Sequence, residues 1–132
     1  MFLNVDLEIG SRGTLDRLVA ELAPHLFELY RNTEATLHRA HYEVLPCSAN
    51  TVDATLREFV RVLGTLTPRA KAIWNRARVR DFNIGLQAGF APRSLELGIE
   101  AKTIEAIAKL RGRIVITVYA AGQLASRLVA TT

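Results

Sequence analysis

Apolar and polar residues alternate from the start of this chain. Leu3, Val5, Leu7 and Ile9 fall on one side and Asn4, Asp6 and Glu8 on the other, the period of a half-buried strand. A turn at 10–13 then gives way to a helical period, Leu15, Leu18, Val19 and Leu22. Thr14 is placed to cap this helix, Asp16 suits its first turn, and Pro24 ends it. Strands are expected over about 26–31 and 36–45, joined as a hairpin through Asn32, Thr33 and Glu34. After the loop 46–50, Val52, Leu56, Phe59, Val60 and Leu63 mark a helix that stops at Gly64. Thr67 and Pro68 open another, since Thr caps and proline lacks only an N–H that the first turn does not use. This second helix should bury Ala70, Ile73, Trp74 and Ala77, with Trp74 as the core anchor.

Phe82, Ile84, Leu86 and Ala88 alternate with Asn83, Gly85 and Gln87, which predicts a strand; residues 94–99 are its expected hairpin partner across the loop 89–93. A helix from Thr103 to near Gly112 follows. The run 114–119 is apolar on both faces and reads as a central strand. Residues 120–132 form a weakly amphipathic tail, either a short helix or a flexible end. The expected fold is thus a single α+β domain over 1–132, with a mostly antiparallel sheet of about six strands and helices on one face. Its element order is ferredoxin-like with an appended strand-helix-strand.

The two ends of the chain echo each other without a gap: residues 14–30 align with 103–119, matching Leu15 to Ile104, Asp16 to Glu105, Leu18 to Ile107, and Leu29 and Tyr30 to Val118 and Tyr119. Leu95, Leu97 and Ile99 precede the second copy as Leu3 to Ile9 precede the first. Matched apolar spacing calls for matched packing, so the copies are expected to superpose as strand-helix-strand units.

Composition narrows the class. A chain of 132 residues, 49% of them hydrophobic, suffices for one core without staples, and no apolar run is long enough for a membrane span. The acidic, alternating N-terminus does not resemble a signal peptide, and the one cysteine, Cys47, excludes an internal disulfide; both suit a cytoplasmic protein. Seventeen basic residues against thirteen acidic ones give a net charge of +4. Arg69, Lys71, Arg76, Arg78 and Arg80 precede Asp81 with no acid among them, so this segment carries more than the net charge.

Candidate chemistry is sparse. His38 and His41 lie on a predicted strand, where a spacing of three points them to opposite faces, so no shared metal is expected; His41 shares its face with Arg39 and Glu43. His25 is expected in a loop. Cys47 has no assembled base and reads as a spectator thiol. No phosphate-binding glycine loop or nucleophile elbow occurs, so neither catalytic residues nor a cofactor are expected. The strongest candidate is the basic helix 68–80. On a wheel, Arg69, Arg76 and Arg80 flank one edge of the Ile73/Trp74 stripe, and Lys71 and Arg78 flank the other, a candidate anion- or partner-binding surface.

The run from Trp74 to Gly85, WNRARVRDFNIG, resembles small uncharacterised bacterial α/β domains of unknown function. The resemblance covers mainly residues 52–119 and implies no catalytic residue; its physical content is a helix docked by Trp74 and Ala77 on a strand bearing Phe82 and Ile84. The expected function is a non-enzymatic protein-interaction domain, of an immunity or accessory type, acting on a protein partner or by self-association. The alternatives are nucleic-acid binding through the basic helix and a small-molecule site on the His41/Glu43 face.

Overall fold

The computed structural model of the protein describes residues 1–46, 48–89 and 94–121. Cys47, most of the predicted 89–93 loop, most of the predicted tail and the side chain of Leu3 lie outside the described residues. The elements are β1 (Phe2–Ser11), α1 (Asp16–Leu22), β2 (Leu26–Glu34), β3 (Leu37–Val44), α2 (Val52–Leu63), α3 (Pro68–Arg76), β4 (Val79–Gln87), α4 (Ala101–Lys109) and β5 (Arg113–Tyr119). They form an α+β fold with one five-stranded sheet in the order β2-β3-β1-β4-β5, antiparallel except for the β4–β5 pair. No helix among the described residues is long and apolar enough to cross a membrane.

The alternation in β1 sets the layers. Leu7 lies opposite Tyr42 on one neighbour and Phe82 on the other, and Val5 lies opposite Ile84. These side chains join Leu15, Leu18 and Leu22 of α1, Leu56 and Phe59 of α2, Trp74 of α3 and Ile107 of α4 in one core. All four helices therefore cover the same face of the sheet. Asn4, Asp6 and Glu8 point to the other face.

Two helix starts, those of α2 and α3, follow local chemistry closely. Thr51 Oγ1 accepts from Ala54 N at 3.1 Å, and α2 runs from Val52 to Leu63 as expected. Thr67 caps α3, with Pro68 in its first position. The α4 C-terminus is tied by two nested bonds, Gly112 N to Ile107 O at 3.0 Å and Arg111 N to Ala108 O at 2.9 Å. Arg111 holds the left-handed φ of +60°, a place glycine usually takes. Gly112 is needed beside it for another reason: an added Cβ would stand 2.5 Å from the Phe82 ring.

Several expectations are corrected. The sheet has five strands rather than six, because residues 94–99 pair with nothing among the described residues and expose Leu95 and Leu97. Both hydrogen-bonding edges of β4 are taken by β1 and β5, so a hairpin partner has no edge to join. The appended unit is accordingly a helix and a strand. Among the described residues β5 is an edge strand rather than a central one, pairing with β4 alone and exposing Ile116 at 61% and Val118 at 62%.

The duplication also fails. Leu15 is buried, whereas its match Ile104 is 49% exposed, because α4 turns Thr103, Ile107 and Leu110 to the core. β5 lies directly beside β4, while β2 is separated from β1 by β3. The echo records two amphipathic helices of like composition that share one buried position, Leu18 and its match Ile107, but turn different faces to the core around it. Thr14 is not the α1 cap either: Leu15 occupies that position and makes no side-chain bond. In the hairpin, β2 extends to Glu34 and the turn moves to Ala35, at φ +52°.

Candidate functional site

The basic segment divides into two kinds of arginine. α3 ends at Arg76 and Ala77 is already extended, so Arg78 and Arg80 do not continue the helical wheel. Arg80 turns back onto backbone carbonyls. Its guanidinium donates to Ala77 O and reaches Arg111 O at 3.0 Å, with longer contacts to Trp74 O and Asn75 O. It thus closes the C-terminus of α3 and links it to that of α4, where a cation is favoured by the helix dipole. Trp74, fully buried, donates from Nε1 to Leu110 O at 2.9 Å and completes the same junction. Arg80 is a structural clamp and leaves the group proposed from the wheel.

Arg69 and Arg76 remain exposed, and the fold brings them new neighbours. A cleft of 580 Å³ opens between the β1–α1 loop and the end of α3, with Arg12, Arg76 and Arg78 around it. Ser11, Gly13, Thr14 and Ile73 complete its wall. An adjoining groove of 530 Å³ runs between α1 and α3, lined by Arg17, Arg69, Ala72, Ile73 and Arg76. Ile73 and Arg76 belong to both. Arg17 pairs with Glu21 at 2.8 Å; Arg12, Arg69, Arg76 and Arg78 have no acidic partner among the described residues. Lys71, on the other flank of α3, is partly buried, and burial pushes its ammonium below the usual lysine range.

Sequence reasoning missed Arg12 and Arg17 because they precede α3 by some fifty residues and converge on it only through the packing of α1 on α3. That packing is fastened at Glu21. Its two carboxylate oxygens accept from Thr67 N at 2.9 Å and Thr67 Oγ1 at 2.6 Å, while Arg17 donates to it as well. The Thr67 hydroxyl bond, then the Thr67 N–H and Arg17, lower its pKa from 4.5 to about 2.

The uncovered sheet face carries a polar ladder. Asn4 donates to Glu43 at 2.6 Å, Asn83 to Glu8 at 3.1 Å, Thr117 to Asn83 at 2.8 Å, and Arg113 to both oxygens of Asp81 at 3.0 and 2.7 Å. His38 and His41 both lie on β3, opposite Ser11 and Glu8 respectively, and so face opposite ways. Thr33 Oγ1 lies 2.9 Å from His38 Nδ1, and the His41 ring tilts against Tyr30 with centroids 5.2 Å apart. Burial pushes the His41 imidazole below its ordinary range, with Glu8 opposing. Glu43 lines a pocket of 280 Å³ with Asn4, Asn50 and Thr55, but His41 does not, so the proposed His41/Glu43 pair does not share a cavity. Among the described residues no three His, Cys, Asp or Glu side chains group closely enough for a metal ion.

The two sheet edges differ in character. β2 also exposes Phe27, Leu29 and Tyr30, but it carries Glu28, Arg31 and Glu34 and an irregular register between Glu28 and Tyr30, both of which discourage another strand from pairing there. β5, RIVITVY, has no acid, no proline and no irregularity in its pairing with β4; its only charge, Arg113, is held by Asp81. Compared with known protein families, curated proteins and solved structures, the chain matches none.

Proposed function

We propose that this chain is a non-enzymatic interaction domain that associates with a second copy of itself along β5. On this reading the β1-α1-β2-β3-α2-α3-β4 portion is a ferredoxin-like frame, supported by the strand order β2-β3-β1-β4, and α4 with β5 is the addition that supplies the interface. The observation that carries the proposal is that β5 has no strand partner on its outer side among the described residues and exposes Ile116 and Val118 by more than half beside that edge.

A second copy is the favoured occupant because β5 is complementary to itself. Ile116 is the midpoint of Arg113–Tyr119, so antiparallel pairing about a two-fold axis sets Ile116 against its own copy and Ile114 against Val118. No like charges meet at the centre, although the chain as a whole is cationic. Self-pairing also removes the edge, joining two five-stranded sheets into one.

Sedimentation velocity over a concentration series tests this. The wild type is expected to form a dimer, and the double variant Ile116→Lys/Val118→Lys a monomer with unchanged circular dichroism, since both side chains lie outside the core. A wild-type chain that stays monomeric at high micromolar concentration, or a double variant that still dimerises, overturns the reading.

A further inference from the structure

Four exposed arginines, none with an acidic partner among the described residues, gather around one cleft and its adjoining groove and give that surface a local positive potential that attracts anions. Arg69 and Arg76 from α3 and Arg78 from the approach to β4 are close in the chain, and the fold adds Arg12 from the turn after β1. Asp16 and Glu21, the acids of α1, line neither cleft, and Glu21 already spends both oxygens on Thr67 and Arg17. We propose that this recess is a binding site for a small ligand carrying two or more linked phosphate groups, spanning the Arg12/Arg78 cleft and the Arg69 groove across Arg76.

Three features select that chemistry. Guanidinium groups match phosphate oxygens with paired donors, so arginine on several sides suits a phosphate chain better than a single carboxylate. A volume of 580 Å³ lies within the range of small-molecule sites, and the adjoining 530 Å³ groove continues it past the shared Arg76. The walls hold Ser11 and Thr14 beside the arginines but no aromatic ring, so the anionic part of the ligand is what is recognised, with no stacking surface for a base. The same concavity argues against duplex nucleic acid. The arginines line a recess between the loop and the helices, whereas a groove-reading helix must project its side chains outward from a ridge.

Isothermal titration calorimetry with inorganic pyrophosphate and tripolyphosphate, at low and at physiological ionic strength, tests the site on the full chain. One pyrophosphate per chain is expected, with tripolyphosphate tighter. Arg76→Gln should weaken pyrophosphate binding by about tenfold or more, the loss typical of one charge-assisted contact, and Arg12→Gln/Arg78→Gln should weaken it further. Lys109→Gln removes an exposed charge elsewhere, one paired with Glu105, and is expected to change nothing. Circular dichroism checks that each variant is folded. Absence of pyrophosphate binding at millimolar concentration overturns the proposal, as does an equal loss in Lys109→Gln, which would mean diffuse attraction. Duplex DNA that binds more tightly than tripolyphosphate and loses affinity with Arg76→Gln would overturn it in favour of nucleic acid. Since Arg76 and β5 belong to different surfaces, this outcome is independent of dimerisation.

Discussion

Individual side chains in this protein are often fixed by what they do for a neighbouring backbone. Trp74 fills the core against Phe82, with ring centroids 6.4 Å apart, and its indole N–H satisfies the Leu110 carbonyl at the end of α4. Trp74→Ala should therefore cost about 3–5 kcal/mol, read as a lowered midpoint in urea. Trp74→Phe, which keeps most of the volume but orphans that carbonyl, should lose less but still measurably. Tyr42 is the opposite case. It is buried at the centre of β3, its hydroxyl makes no hydrogen bond among the described residues, and burial pushes its pKa up to about 12. Removing an unsatisfied buried group relieves a desolvation cost, so Tyr42→Phe should be neutral or stabilising by about 1 kcal/mol, checked by thermal denaturation. Trp74 was recognisable as core from its place on the helical stripe; its bond to Leu110 was not, because the two are joined only when α3 and α4 end at the same corner.

The elements depend on each other most at α1 and α3. α1 has seven residues and no side-chain cap, so it is held by packing and by Glu21 rather than by its own propensity. Glu21 anchors the first turn of α3, and its carboxyl in the folded protein is depressed to about 2 from 4.5. A depressed carboxyl stabilises the fold above its unfolded value and loses that contribution as pH falls, here from about 4.5 towards about 2. Glu21→Gln should lower the melting temperature at neutral pH and reduce the fall seen between those two pH values. If wild type and variant melt in parallel over that window, the α1–α3 tie is not made by the charged carboxylate. Asp53 makes a comparable link by accepting from Glu100 N at 2.9 Å ahead of α4, a bond that lowers its pKa as well.

At the scale of the whole molecule, the helices cover one face of the sheet but leave Ile116 and Val118 of β5 exposed on it, and the other face carries hydrogen-bonded polar side chains. Among the described residues, two surfaces carry the proposals made above: the apolar strand β5 and the cationic cleft and groove beside α1 and α3. The sequence alone determined the elements whose signals are local. The alternation of β1, the Thr51 and Thr67 caps, Pro68 and the Leu56/Phe59 stripe each depend on residues within a few positions of one another. It also marked the 68–80 segment as the cationic one. The tertiary structure decided everything that depends on which edge or surface is free. Residues 94–99 have a strand's pattern but no edge to pair with, because β5 occupies it; β5 has a central strand's composition but an edge strand's place. Arg80 and Arg76 look alike on a helical wheel, yet one is spent on carbonyls and the other meets Arg12 across a cleft. Periodicity records which side chains favour burial; it does not record what distant part of the chain will arrive to bury, pair or oppose them.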